Sequence, residues 1–296
     1  MPAPPLLGSA GAPVPPPGVR VIALDLDGTT VDLRQQLHPR TRAAVRAAVA
    51  AGIHVVAATG RMYRSALPWA TELGLRDPVI AYQGAEVRAM PTAADEVVDG
   101  VPQGRLLAAD PLDGEVATEV LRLCREEGWH VQAYRDDRLL VERDGPAAEY
   151  YAGIAQVGWH RVHDLAPVMA AGSTKVVVVI LDEAEATRCE TALRAAVGAR
   201  ARVVRSLPEF VEITHSDAGK GRQLARLCAG WGVDHRLVVA AGDAPNDADM
   251  LRVAGFAAAV VGAAPAALAE ADVVIGSPEE GGVADLIAAL GIGVQG

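Results

Sequence analysis

VIALDLDGTT, residues 21–30, begins as a strand and ends as a site. Val21, Ile22, Ala23 and Leu24 carry no polar side chain, the pattern of a strand buried on both faces of a parallel sheet. Asp25, Asp27 and Gly28 follow at once, and glycine suits a tight loop whose amides approach a ligand. Two later runs repeat the plan. Residues 55–58 lead into Thr59-Gly60-Arg61, and residues 238–241 into Gly242-Asp243-Ala244-Pro245-Asn246-Asp247. Ligands of open α/β sheets lie beyond the carboxyl ends of the strands, so these distant tips are expected to converge on one crevice.

Working outward, a helix is expected over 39–51, with Ala44, Val45, Ala48 and Val49 on one face, Pro39 near its start and Gly52 past its end. Strands follow at 53–58 and 79–82. Residues 86–212 change character. They show a hairpin of 129–134 and 139–142 about Asp136-Asp137, helices at 113–127, 147–157 and 183–197, and strands at 175–181, 201–205 and 210–214. The βα alternation resumes with a helix after Lys220 and strands at 237–241, 257–261 and 273–275. The expected architecture is α/β: a Rossmann-like parallel-sheet core, residues 19–85 and 213–296, with an α+β domain, residues 86–212, inserted into it. Residues 1–18 are rich in Pro, Ala and Gly, lack a basic start and an apolar run, and read as a disordered tail rather than a signal peptide or anchor.

Of the 296 residues, 51% are hydrophobic, ample for a sizeable core, and only 4% aromatic, so Val, Leu and Ala must fill it. The net charge of −10 argues against a nucleic-acid partner, because phosphate backbones need a basic footprint. A phosphorylated small molecule remains compatible if positive charge is concentrated at one site. Cys124, Cys189 and Cys228 fall in amphipathic helical stretches without metal-ligand spacing and read as reduced core residues of a cytoplasmic protein. The uncharged stretch 253–269 is interrupted by Gly262 and Pro265 and is shorter than the ~20 residues of a spanning helix, so no membrane partner is expected.

The strand tips carry a definite chemistry. A carboxylate such as Asp25 can attack phosphorus and form an aspartyl phosphate. A second acid two residues on, Asp27, can protonate the leaving alkoxide and then activate water. Clustered carboxylates repel one another and a phosphate dianion, so a hard divalent cation is called for. Mg²⁺ suits an all-oxygen site of Asp25, Asp243 and the Asp27 backbone carbonyl. Thr59 offers a hydroxyl donor, and Lys220, between Gly219 and Gly221 at a helix start, can lay a point charge on phosphate.

In this order the motifs resemble the haloacid dehalogenase superfamily of phosphohydrolases, and the large insertion between the second and third motifs resembles its Cof-type branch, subfamily IIB, with a C2B-type cap. The likeness extends from Val19 to about Ala289. It implies Asp25 as nucleophile, Asp27 as general acid/base, and Thr59 and Lys220 on the phosphoryl group, with Gly60 and Arg61 beside them and Asn246 touching phosphate. It implies Mg²⁺ held by Asp25, Asp27 and Asp243, with Asp247 either a further ligand or the group that orients Lys220 or a water. The activity implied is a Mg²⁺-dependent phosphatase acting on small phosphorylated metabolites such as sugar phosphates, with the cap closing to select them. A phosphotransferase or phosphomutase on the same scaffold is the alternative. A receiver-like module phosphorylated on Asp25 is the rival from another class, although such modules are shorter, lack a cap and do not need an acid/base two residues after the nucleophile.

Two places depart from the pattern. Gln83-Gly84-Ala85 stands where many relatives have Asn-Gly-Ala, and Gly262-Ala263-Ala264 where they often have Gly-Asn-Ala. Both lie outside the catalytic set. Plainer readings attach to several other residues: a surface ion pair for Arg61, a cap or surface role for Asp32, solvated or packed rings for His160 and His163, and a strand-edge charge for Lys175.

Overall fold

Val21–Leu24 lies between Val238–Gly242 and His54–Ala57 in a parallel sheet that continues through Phe256–Val260 to Val273–Ile275. Apart from His54, every residue of these five strands is buried, as an all-apolar strand covered on both faces requires. From Val21–Leu24 the chain winds outward through His54–Ala57, then returns to Val238–Gly242 and winds the other way. The order therefore reverses between Val21–Leu24 and Val238–Gly242, the switch point where open sheets leave a crevice. Helix Pro39–Ala50 packs on Gly282–Ala289, and helix Lys220–Trp231 on Ala248–Val253. The computed structural model describes residues 3–293, and contacts divide them into two units. The sheet belongs to the first, which comprises residues up to 60, 66–107 and those from 219 onward.

Three features of the structure differ from the sequence reading. Glu86–Arg88 pairs antiparallel with Val79–Ala81, so residues 86–107, expected in the inserted domain, group with the parallel sheet. These strands are two to four residues long and carry no usable periodicity. The expected disordered tail contains a β-bridge. Leu6 pairs with Val274, with Leu7 N donating to Val274 O at 2.8 Å and Val274 N to Pro5 O at 2.8 Å, which covers an otherwise open sheet edge. Met1 and Pro2 of that tail lie outside the described residues. Helix Tyr63–Glu72 was not foreseen, because Pro68 sits inside it and masks the helical pattern. The uncharged stretch 253–269 contains the buried strand Phe256–Val260 and the short helix Pro265–Leu268, and no helix among the described residues is long and apolar enough to cross a membrane.

The second unit holds residues 61–65 and 108–218. Its six-stranded sheet runs in the order His160–Arg161, Arg138–Val141, His130–Arg135, Lys175–Val179, Phe210–His215, Ala201–Leu207. Phe210–His215 pairs along its whole length, so this unit extends past the boundary expected at 212. Helices Gly114–Glu127 and Glu183–Val197 cover one face, where Val131, Ala133, Val176, Val178, Val211 and Ile213 meet Cys124, Cys189 and Leu193. Alternation sends Tyr134 and Phe210 to the opposite face, where Tyr151 of helix Pro146–Ala155 packs on both. The hairpin turns through Asp136 and Asp137, with φ of 51° and 53°, the left-handed pair of a type I′ turn. Lys175 is not a strand-edge charge: its strand lies between two others, the side chain is buried, and its Nζ is 3.0 Å from Glu212 Oε2. The partner comes from a strand remote in sequence, which no local pattern announces. Among the described residues Cys124, Cys189 and Cys228 are buried free thiols.

Candidate active site

At the switch point Asp25 leaves its strand with its amide still in the ladder, donating to Ala241 O at 3.0 Å. Its carbonyl accepts from Thr30 Oγ1 at 2.5 Å, so the loop that follows is folded back on the strand end. Lys220 Nζ reaches across from the first turn of its helix and stands 2.6 Å from Asp25 Oδ1 and 2.6 Å from Asp247 Oδ1. All three side chains are buried. Asp247 is held by backbone, its Oδ2 accepting from Asp243 N at 3.0 Å and Ala244 N at 2.9 Å. Asp243 Oδ1 accepts from Thr29 Oγ1 at 2.7 Å. Carboxylate oxygens of Asp25, Asp243 and Asp247 lie within 4.8 Å of one another, a set of hard ligands of the kind a divalent cation takes.

The electrostatics follow from crowding. Burial pushes the Asp25 carboxyl well above the ordinary carboxylate range; Asp247 adds to this, Lys220 opposes it, and Asp243 and Asp27 push it further up. Asp243 is raised too, by burial first, against the hydrogen bond from Thr29. Burial works against the charge on Lys220, but Asp247 and Asp25 outweigh it and hold the ammonium above the usual lysine value. One lysine thus faces several carboxylates. The remaining negative charge is what a bound cation would relieve.

The other expected site residues fall as follows. Asp27 is half-buried and bridges Val31, while Gly28 N donates to Val31 O at 2.8 Å. Thr59 is buried at the end of its strand, its amide donating to Ile80 O at 2.8 Å. Gly60 and Asn246 both meet Gln83. Arg61 groups with the second unit and is half-buried. Asp32 accepts from the amides of Arg34 at 2.9 Å and Gln36 at 2.7 Å and so fastens its own loop. His163 is exposed and His160 half-buried. Thr29 and Gln83 had no assigned role from sequence; a hydroxyl two residues past Asp27 was the available signal for the first.

A family model for haloacid dehalogenase-like hydrolases matches residues 22–287. The chain belongs to the haloacid dehalogenase-like hydrolases. Within that family it is a Cof-type phosphatase. It is 31% identical over 276 residues to YxeH of Bacillus subtilis, a protein carrying a phosphatase name, with 90% of this chain and 97% of YxeH covered. It is 29% identical over 250 residues to the HMP-PP phosphatase of Serratia proteamaculans, covering 83% and 85% of the two chains. Its fold is shared with a haloacid dehalogenase-like hydrolase from Bacteroides thetaiotaomicron at a TM-score of 0.80 and 23% identity, over 91% of this chain and 98% of that one. The HAD-like architecture, a parallel-sheet unit interrupted in sequence by an α+β unit, is the one described above.

Proposed function

We propose that this phosphatase hydrolyses small phosphomonoesters, sugar phosphates among them, with Mg²⁺ and through an aspartyl phosphate on Asp25. The observation that carries the reading is Lys220 Nζ seated at 2.6 Å from both Asp25 and Asp247 beside Asp243. Asp25 Oδ attacks phosphorus as the bond to the leaving oxygen breaks, and protonated Asp27 gives its proton to that oxygen. Asp27, now a carboxylate, takes a proton from water as the water oxygen attacks the acyl phosphate, and Asp25 is released as inorganic phosphate leaves. Lys220 and Thr59 bind phosphoryl oxygens, with Asn246, Gly60 and Arg61 contributing to substrate binding. Asp25, Asp243 and the backbone carbonyl of Asp27 would hold Mg²⁺, and Asp247, whose oxygens are engaged by Lys220 and two amides, keeps Lys220 in place. When bound, Mg²⁺ would neutralise the crowded carboxylates and withdraw charge from the phosphoryl group. The free thiols fit a reducing cytoplasm.

The test is Asp25→Asn. The expected variant keeps its fold by circular dichroism and loses release of phosphate from an aryl phosphate; substantial remaining turnover refutes the assignment of the nucleophile.

A further inference from the structure

Beyond the strand Val79–Ala81 the backbone takes an unusual course: Tyr82, Gln83 and Gly84 have φ of 53°, 61° and 88°. A buried tyrosine in the left-handed region, unlike the paired aspartates of the hairpin turn, persists only where its surroundings over-determine it, and such places concentrate at functional sites. Here the restraints are visible. Gln83 N donates to Thr59 O at 3.1 Å, and Gln223 Nε2 donates to Gly84 O at 3.0 Å from the helix that Lys220 opens. A Cβ on residue 84 would lie 2.4 Å from the carbonyl of Gly219, so the turn is pressed against the residue before Lys220.

This turn lays the Gln83 side chain across Gly60, where a Cβ would come within 2.4 Å of Gln83 Nε2. The side chain ends on Asn246, whose Nδ2 donates to Gln83 Oε1 at 2.5 Å across 163 residues of sequence. Asn246 Oδ1 is buried and has no hydrogen-bond partner among the described residues. The contact with Gln83 fixes the plane of the Asn246 amide and engages one of its ends before any ligand arrives.

We propose that Gln83 is a positioning residue that acts through Asn246, holding its amide in the orientation that receives the phosphoryl end of the substrate. This rests on the phosphatase reading above. Gln83 is proposed to act only through its contact with Asn246 and not on the substrate itself.

The test uses Gln83→Met, which keeps the side chain's length over Gly60 and removes its acceptor, with Gln83→Ala as the second variant should the first fold poorly. Expected for Gln83→Met is a rise of about five- to tenfold in KM for an aryl phosphate, and in the Kd for inorganic phosphate by calorimetry, with kcat within about twofold and the melting temperature lowered by no more than a few degrees. In an Asn246→Ala background the same substitution should add nothing, the sign that the two residues act as a unit. Unchanged KM and phosphate affinity, or effects that multiply fully with Asn246→Ala, would overturn the proposal. Phosphate affinity is read without turnover, so a failure of the Asp25 assignment is seen separately in the Asp25→Asn comparison.

Discussion

The Asp243 carboxylate occupies the space that a side chain on residue 28 would need: a Cβ at Gly28 would lie 2.6 Å from Asp243 Oδ2, and Gly28 has φ of +82°. The loop after Asp27 can thus close on the Asp243 loop only because it carries no Cβ there. Gly28→Ala adds a left-handed strain of ~1–3 kcal/mol and pushes Asp243 from its partners. Urea unfolding should show a loss of that size, and turnover should fall by about 100-fold, as for other small displacements of reacting groups. Wild-type activity in this variant would show that the loop has room the structure does not give it.

In the second unit the buried pair of Lys175 and Glu212, at 3.0 Å, predicts an asymmetry between single and double substitutions. Glu212→Gln leaves the lysine charge buried without its counterpart and should cost about 3–5 kcal/mol in urea unfolding. Lys175→Met combined with Glu212→Gln removes both charges, leaves an acceptor for Ser206 Oγ, and should recover most of that loss. Additive losses would mean the two side chains are not coupled.

These two cases show what was legible in the sequence and why. Helix Glu183–Val197 and strand Val273–Ile275 fall where their periodicity and composition put them, and so do the strand ends that deliver Asp25, Thr59 and Asp243. Local pattern and tertiary burial agree at those places. Lys175 was misread because its environment is made by a residue thirty-seven positions away, and the left-handed backbone at Gln83 has no local sequence pattern that announces it. Helix Tyr63–Glu72 tolerates an internal proline that, taken locally, argues against it.

The same buried cluster should make the protein alkali-labile. Burial raises the Tyr134 and Tyr151 phenols, and Lys175 is held above its ordinary value by Glu212 and Tyr151 despite the opposing effect of burial. All three groups therefore bind protons more tightly folded than unfolded. Their stabilising contribution is whole below the unfolded values, about 10 for tyrosine and 10.4 for lysine, and is lost as pH rises through the higher folded values. Urea midpoints should fall steadily above about pH 10, and less steeply when Tyr134→Phe is added to the Lys175→Met and Glu212→Gln pair. Equal slopes in the two proteins would place the alkaline sensitivity elsewhere.

Thr29 offers the sharpest test of the cation. Its hydroxyl donates to Asp243 Oδ1 at 2.7 Å, fixing the direction of the carboxylate's other oxygen. Chelation should abolish phosphatase activity and added Mg²⁺ restore it. Thr29→Val keeps the side chain's shape but frees Asp243 to rotate, and loss of such a supporting hydrogen bond weakens metal binding by about 10- to 100-fold. The concentration of Mg²⁺ giving half-maximal activity should rise by that factor while kcat at saturating Mg²⁺ changes little. An unaltered Mg²⁺ requirement would mean Asp243 needs no orienting partner, and a chelator-resistant enzyme would mean that Lys220 alone balances the carboxylates.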